Sequence, residues 1–276
     1  MSETQTSTPP VSDIKAKHRA MWATGDYPAV ASDVIPALGP ILVEATGIAA
    51  GERVLDVGAG SGNASLPAAA EGAFVVASDL TPELLDTGRR EAERRGLRLT
   101  WDVADAEALP YSEASFDAVL SCVGVMFAPD HQRSADELVR VTRSGGRIGL
   151  ASWTPQGFIG QMFGVMKPYA PAPPPGAQPP PLWGDESHVR ELLGDRVGDL
   201  SAVRQELVVD RFATGAEFRD FFKATYGPTI AVYRSLAEQP DRAAELDAEL
   251  EALGDGNVDD DGVMRWEYLL VVATRA

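Results

Sequence analysis

The spacing of apolar positions changes along the chain and divides it into predicted elements. From residue 51 onward, short apolar or alternating runs are separated by longer amphipathic segments. Nearly continuous apolar runs are typical of strands in a sheet that is covered on both faces. The strands predicted from these runs are 53–57, 73–78, 98–103, 116–123, 147–153, 200–209 and 265–273.

Three amphipathic segments between the first five strands predict crossover helices over 62–71, 82–95 and 131–143. Thr81 and Pro82 form a favourable helix start, with threonine at the N-cap and proline in the first helical position. Strands that alternate with helices predict a parallel sheet joined by right-handed crossovers. This part of the chain is therefore expected to be an α/β core.

The segments on either side of this core have a different character. Residues 1–12 are rich in Ser, Thr and Pro, which predicts a disordered tail, and 13–46 have helical periodicity interrupted by a turn at 25–28. Residues 170–183 contain seven prolines and are expected to be extended. Residues 215–253 are predicted to be helical, and their first half is rich in aromatic side chains.

Charge and cysteine content exclude several classes of protein. The chain has 24 basic and 41 acidic residues, a net charge of −17, which disfavours binding to nucleic acids and to anionic membrane surfaces. No apolar run approaches the length of about 18 residues that a membrane span needs, so no membrane insertion is expected. The single cysteine, Cys122, cannot form an intramolecular disulfide, which favours a reducing, cytoplasmic location.

The strongest chemical signal is a glycine-rich turn after the first predicted strand. Asp56 is followed by Gly58, Gly60 and Gly62 at alternate positions. Such a turn between a strand and a helix favours either a dinucleotide or another adenosine-containing ligand. The dinucleotide fingerprint G-x-G-x-x-G would require glycine at position 63, which is Asn63. An acid before the turn would repel a pyrophosphate and attract a cationic ligand.

This turn resembles motif I, D-x-G-x-G-x-G, of the class I S-adenosylmethionine-dependent methyltransferases. Three later segments, 102–110, 115–119 and 137–147, are similar to further motifs of that family and occur in the same order. The match spans about residues 50–153. Within the family, the chain is most similar to the branch that acts on quinone precursors and other small molecules, in which an N-terminal aromatic residue such as Tyr27 closes over the cofactor.

The resemblance implies a fold, a cofactor and a set of site residues. The fold would be doubly wound and Rossmann-like, with a seven-stranded, mainly parallel sheet in the order 3-2-1-4-5-7-6. The cofactor would be S-adenosyl-L-methionine, with Asp79 at the ribose, Asp105 at the adenine amino group and Ala106 at the adenine ring. The full set of implied cofactor-binding residues is Tyr27, Asp56, Gly58, Gly60, Asp79, Leu80, Asp105, Ala106 and Cys122.

The same resemblance implies how the chain is divided. Residues 13–276 would form a single methyltransferase domain with a core at 50–153 and N-terminal helices at 13–46. Residues 154–199 and 215–253 would be insertions that cover the methyl-donating end of the site. Their aromatic and methionine content favours a small, largely apolar or aromatic acceptor, and leaves open whether O, N or C is methylated.

Two other functions remain as alternatives, and the catalytic residue is not identified. A nicotinamide-dependent oxidoreductase is weakened by Asp56 and Asn63, and a non-catalytic S-adenosylmethionine-binding protein is distinguished only by turnover. His131, at the start of a predicted helix, is a weak candidate for a general base, although a structural role there is more common. No group of His, Cys and acidic residues has the spacing of a metal site.

Overall fold

A computed structural model describes residues 13–276, and the tail expected over 1–12 lies outside the described residues. Its strands lie close to the seven predicted ones. They are β1 (Arg53–Val57), β2 (Phe74–Asp79), β3 (Thr100–Val103), β4 (Phe116–Cys122), β5 (Thr142–Trp153), β6 (Val197–Val209) and β7 (Met264–Arg275).

These strands form one sheet in the order β3-β2-β1-β4-β5-β7-β6, which confirms the predicted fold class. Strands β1 to β5 pair in parallel, whereas β7 is antiparallel to both β5 and β6. Strand β5 begins at Thr142, five residues before its predicted start at Arg147, because Thr142 already pairs with Phe116 ahead of a register shift. Residues 54–57 of β1 are all buried, as expected for a central strand covered on both faces.

Helices precede the sheet, connect its strands and fill the two segments that were expected to be insertions. They are α1 (Asp13–Trp22), α2 (Tyr27–Asp33), α3 (Leu38–Thr46), α4 (Ser65–Ala70), α5 (Pro82–Arg94), α6 (His131–Val141), α7 (Phe158–Met166), α8 (Glu186–Leu193), α9 (Gly215–Thr225), α10 (Gly227–Ser235) and α11 (Pro240–Asp255).

The helix boundaries differ from the prediction where local chemistry ends a helix. Helix α4 starts at Ser65 rather than at 62, because Gly62 has φ +95° and still belongs to the turn. Prolines in the first turns of α10 and α11 divide the segment predicted as one helical stretch over 215–253. Thr81 occupies the N-cap of α5, but its side chain makes no capping hydrogen bond.

Helices from distant parts of the chain meet around the carboxyl ends of the parallel strands. Helix α10 contacts α1, α9 contacts α2, and α7 contacts both α11 and β7. Ligands of open α/β sheets bind at these strand ends. Within residues 13–276 no single helix is long and apolar enough to cross a membrane, although α2 and α3 together form one bent pair that reaches the required length and composition.

Candidate active site

The glycine turn after β1 has the backbone conformation that its sequence predicts. Gly58, Gly60 and Gly62 have φ values of +68°, +56° and +95°, in the left-handed region that other residues seldom adopt. A Cβ on Gly58 would lie 2.8 Å from Gly124 Cα, so the turn can pass the end of β4 only without a side chain there. Gly58 and Gly60 both line a pocket at the carboxyl ends of β1, β2 and β4, called here the cofactor pocket.

Asp79, the last residue of β2, holds the glycine turn in place. Its Oδ2 accepts a hydrogen bond from Gly60 N at 2.9 Å, and its Oδ1 accepts one from Thr81 N at 2.8 Å. Burial raises the pKa of Asp79, while the hydrogen bonds from Thr81 and Gly60 act in the opposite direction. Asp79 also lines the cofactor pocket, together with the predicted Leu80. The same carboxylate therefore holds the glycine turn and faces the ligand site.

Asp56 lies beneath the turn rather than among the residues that line the pocket. Its Oδ2 accepts a hydrogen bond from Ser65 Oγ at 2.5 Å, while its buried Oδ1 has no partner among the described residues. Burial raises the pKa of Asp56 to about 7, and the nearby charge of Asp79 adds to the increase against the effect of the Ser65 hydrogen bond. A cationic ligand above the turn would stabilise the ionised carboxylate.

The predicted adenine residues, Asp105 and Ala106, also line the cofactor pocket, just after the end of β3. Asp105 Oδ1 accepts hydrogen bonds from Glu107 N at 3.0 Å and from Lys15 Nζ at 2.8 Å. Lys15 Nζ also lies 2.8 Å from Glu107 Oε2. Helix α1 is thus joined by an ion-pair network to the loop that follows β3.

Several pocket residues were not predicted from the sequence because they come from segments without a recognisable motif. Helix α1 contributes its inner face, and the loop after β4 contributes a short aromatic and proline stretch. In α1 the lining positions are three and four residues apart, a spacing that places side chains on one face of a helix and that the sequence does show. The lining residues that the sequence did not predict include Lys15, His18 and Trp22 of α1, Leu84 of α5, and Phe127 and Pro129 after β4.

An aromatic cluster closes the pocket on the side of the glycine turn. The Trp22 ring lies 5.4 Å from the Tyr27 ring, 4.7 Å from the Phe127 ring and 5.7 Å from the Tyr226 ring, all edge to face. A Cβ on Gly60 would lie 3.5 Å from the Tyr27 ring, so that ring stands directly over the turn. This is where the resemblance places an N-terminal aromatic side chain.

Cys122 and His131 do not line the cofactor pocket as the structure describes it. The residues after Cys122, Val123 and Gly124, take that place, while the buried Cys122 thiol has its pKa raised by burial. His131 is buried with its Nδ1 3.0 Å from His188 Nε2, and burial lowers its pKa to about 4. The geometry therefore provides no support for His131 as a base, and helix α6 is capped instead by the Asp130 carboxylate.

A second, smaller cavity adjoins the cofactor pocket, with Tyr27 and Val123 lining both. It is called the acceptor cavity, after the role that we propose for it below. Several aromatic residues that were expected to face a substrate instead pack in the core, where Phe158 and Phe218 surround the buried Trp266 ring. The residues that line the acceptor cavity are Tyr27, Val30, Ile35, Val123, Trp153, Ile159, Phe222, Tyr226 and Trp266.

The residues that line the cofactor pocket fit S-adenosylmethionine in their chemistry. Gly60 lets a ligand approach the backbone of the turn, and the carboxylates of Asp79 and Asp105 both line the pocket. Beneath the turn, the unpartnered Asp56 Oδ1 would supply a further negative charge for a cation when this carboxyl is ionised. The sheet order together with this acid–glycine turn defines a class I methyltransferase.

Comparisons with known proteins agree with this class. A family model described as a methyltransferase domain matches residues 55–150. The uncharacterized protein Rv1403c of Mycobacterium tuberculosis is 53% identical over 258 residues, which cover 94% of each chain. A demethylmenaquinone methyltransferase of Clavibacter sepedonicus is 41% identical over 105 residues, covering 38% of this chain and 42% of that protein.

Among solved structures, the fold is similar to that of phosphoethanolamine N-methyltransferase 2 of Haemonchus contortus in complex with phosphomonomethylethanolamine and S-adenosylhomocysteine. The TM-score is 0.53 at 15% identity, with 86% of this chain and 52% of that chain covered. The chain belongs to the class I S-adenosylmethionine-dependent methyltransferases, in one family with the mycobacterial protein. S-adenosylmethionine is its methyl donor.

Replacing Asp79 with alanine is expected to weaken cofactor binding by about 1.5–3 kcal/mol, the range for a hydrogen bond to a charged group. The variant loses the predicted ribose contact and also the acceptor for Gly60 N–H. Calorimetric titration with S-adenosylhomocysteine measures the change. Asp86→Ala, which removes an exposed acid of α5, is the matched control and should bind normally. Wild-type affinity in Asp79→Ala would mean that this carboxylate makes no contact with the ligand.

Proposed function

We propose that the enzyme transfers a methyl group from S-adenosylmethionine to a small, uncharged, largely apolar or aromatic acceptor. The acceptor would bind at the acceptor cavity, whose volume of about 10 Å³ holds only about one water molecule in this structure, so that its walls must move apart to admit it. The observation that carries this proposal is the composition of that cavity, whose lining residues are all aliphatic or aromatic. Small-molecule sites are mostly apolar with a few polar groups. Here the polar groups are the hydroxyls of Tyr27 and Tyr226 and the indole N–H groups of Trp153 and Trp266.

The position of the acceptor cavity supports transfer across a short distance. Tyr27 and Val123 line both cavities, so a molecule in the acceptor cavity would meet the cofactor at these two residues. The cavity is formed by α2, by the ends of β4 and β5, by α7 and α9, and by the start of β7. We therefore assign the helices of segments 154–199 and 215–253 to covering the acceptor, within one domain over 13–276.

The charge of the cavity supports an uncharged acceptor. Among residues 13–276, none that lines the cavity is Asp, Glu, Lys, Arg or His. Burial raises the pKa of both Tyr27 and Tyr226 above the usual tyrosine range, so the surroundings disfavour ionisation of a phenol. An ammonium or carboxylate group placed there would lose its hydration without gaining a partner of opposite charge. Small amines and amino acids are therefore disfavoured as acceptors.

The comparisons with relatives also favour an uncharged, aromatic acceptor. The partial match to a demethylmenaquinone methyltransferase supports a quinone-like acceptor. The fold neighbour that binds phosphomonomethylethanolamine handles a charged molecule, for which the acceptor cavity here has no ion-pairing residue. A mainly aromatic, uncharged acceptor agrees with both observations.

The catalytic contribution of the protein is mainly to position the reactants and exclude water. S-adenosylmethionine supplies a methyl group that is bonded to a positively charged sulfur. After the transfer, this sulfur remains in the cofactor product as a neutral thioether. We assign Asp79 and Leu80 to the ribose end of the cofactor, Asp105 and Ala106 to adenine, and Tyr27 to the boundary between the two cavities. Their role is to bind and orient.

An acceptor panel tests the proposal. Transfer of labelled methyl groups from S-adenosylmethionine is expected to naphthols, which are uncharged at neutral pH and whose hydroxyl proton passes to solvent as the O–CH3 bond forms, with little transfer to phosphoethanolamine or sarcosine. Ile159→Phe should reduce the rate with bulky acceptors about tenfold or more, because the added ring fills part of the cavity, while S-adenosylhomocysteine still binds. The control is Ile14→Phe, at a residue that is 40% exposed. Preferential methylation of the amines would contradict the proposal.

A further inference from the structure

Helix α1 places an ammonium group between two carboxylates at the nucleoside end of the cofactor pocket. Lys15 Nζ lies 2.8 Å from Asp105 Oδ1 and 2.8 Å from Glu107 Oε2. The Lys15 and Glu107 side chains are only 10% and 9% exposed. Charged groups this deeply buried are costly unless they are paired and hydrogen-bonded. The arrangement therefore fixes the positions of all three side chains.

Backbone hydrogen bonds complete the network and leave one oxygen available. Asp105 Oδ1 also accepts from Glu107 N at 3.0 Å, and Glu107 Oε1 accepts from Asp130 N at 2.9 Å. Within residues 13–276, Asp105 Oδ2 accepts no hydrogen bond. Asp105 lines the cofactor pocket, and its side chain is 30% exposed. Oδ2 is thus the oxygen that a bound ligand can reach.

We propose that Lys15 is a positioning and specificity-determining residue, which holds Asp105 so that the enzyme selects an adenine base with its 6-amino group. This inference rests on the proposed contact between Asp105 and adenine. An ionised carboxylate only accepts hydrogen bonds, so it attracts an amino group and repels a carbonyl oxygen at the same position. Selection of one base over the other therefore requires Asp105 to be ionised and fixed in orientation.

Lys15 meets both requirements. Its positive charge offsets the two neighbouring carboxylates, and its hydrogen bond to Oδ1 prevents the carboxylate from turning. His18, one turn further along α1, lines the same pocket, and burial followed by the charge of Lys15 lowers its pKa. The nearby charges of Glu107 and Asp105 act on His18 in the opposite direction. Without Lys15, Asp105 can rotate, and its repulsion from Glu107 is no longer balanced.

The test compares two ligands that differ only at the base. Calorimetry measures the affinities of S-adenosylhomocysteine and S-inosylhomocysteine, which has a carbonyl oxygen in place of the 6-amino group. The wild-type enzyme is expected to prefer the adenosyl ligand by about tenfold to a hundredfold, the size of one hydrogen bond to a charged group. Lys15→Met should reduce this preference to about threefold or less, while Lys17→Met, at an exposed lysine of the same helix, should retain it.

A second variant separates specificity from folding. Lys15→Met leaves the Glu107 carboxylate buried without its partner, whereas the double variant Lys15→Met/Glu107→Gln removes both charges. The ratio of the two affinities should fall in the double variant as well. Full retention of the wild-type ratio in the folded variants would overturn the role of Lys15. Equal affinity for both ligands in the wild type would instead contradict the Asp105–adenine contact, and failure to bind either ligand would contradict the cofactor assignment.

Discussion

Replacing Gly60 with valine is expected to abolish cofactor binding, with the affinity for S-adenosylhomocysteine falling by about a hundredfold or more. Gly60 has φ +56°, which β-branched residues strongly avoid. A Cβ at this position would face the Tyr27 ring at 3.5 Å, and the two γ-carbons of valine would extend further into the pocket. Any shift of the turn would also disturb the Gly60 N–H bond to Asp79.

The matched control for this variant is Gly96→Val. Gly96 follows α5, has φ +69°, and no atom lies within 4 Å of a Cβ added there. It introduces similar backbone strain without obstructing the pocket, so its melting temperature should fall while its affinity is unchanged. Calorimetry and thermal unfolding of both variants separate the two effects. Wild-type binding by Gly60→Val would show that the ligand does not approach this turn.

Replacing Asp56 with asparagine is expected to remove much of the dependence of stability on pH between about 4 and 7. The pKa of Asp56 is raised to about 7 in the folded protein, compared with about 3.9 for an unperturbed aspartate. The carboxyl therefore retains its proton in the folded state but loses it in the unfolded state across this interval. Its contribution to stability is fully present below about pH 4 and is lost as pH rises through about 7.

Chemical unfolding at pH 5 and pH 8 measures this effect. The free energy of unfolding of Asp56→Asn relative to wild type should rise with pH, by at most about 1.4 kcal/mol per pH unit. Binding supplies a second measurement, since a cation favours the ionised carboxylate. The affinity of the wild type for S-adenosylmethionine should rise with pH up to about 7, more than that for S-adenosylhomocysteine, which lacks the sulfonium charge. A constant stability difference between the two proteins would show that Asp56 is already ionised at pH 5.

The sheet could be predicted closely from the sequence because its strands have strong local signals. The apolar run of β1 is bounded by a charged residue and a glycine turn, and the alternation in β7 marks a strand with two different faces. The start of β5 was missed because Thr142–Gly146 contains polar residues and two glycines, which are typical of a turn. Pairing with β4 overrides that local preference.

The lining of the cofactor pocket was predictable where a short motif fixes backbone and side chain together. Gly58, Gly60 and Asp79 lie within one turn and one strand end, so sequence order determines their geometry. Lys15 reaches Asp105 across 90 residues, and no local pattern specifies that contact. The positions of the aromatic residues of α7 and α9 were equally difficult to predict. Periodicity identifies an apolar helix face but does not show whether that face contacts the core or a cavity.

The cofactor pocket and the acceptor cavity are lined mostly by different parts of the chain, and this has an evolutionary consequence. Apart from Tyr27 and Val123, the lining of the cofactor pocket comes from α1, the end of β2, the start of α5 and the loops after β1 to β4. In contrast, five lining residues of the acceptor cavity lie beyond residue 150. Helices α9–α11 lie between the antiparallel neighbours β6 and β7. If the acceptor binds there as we propose, mutations in this insertion between β6 and β7 would change the acceptor without changing the residues that line the cofactor pocket. Divergence among relatives with different substrates should therefore be concentrated after β5.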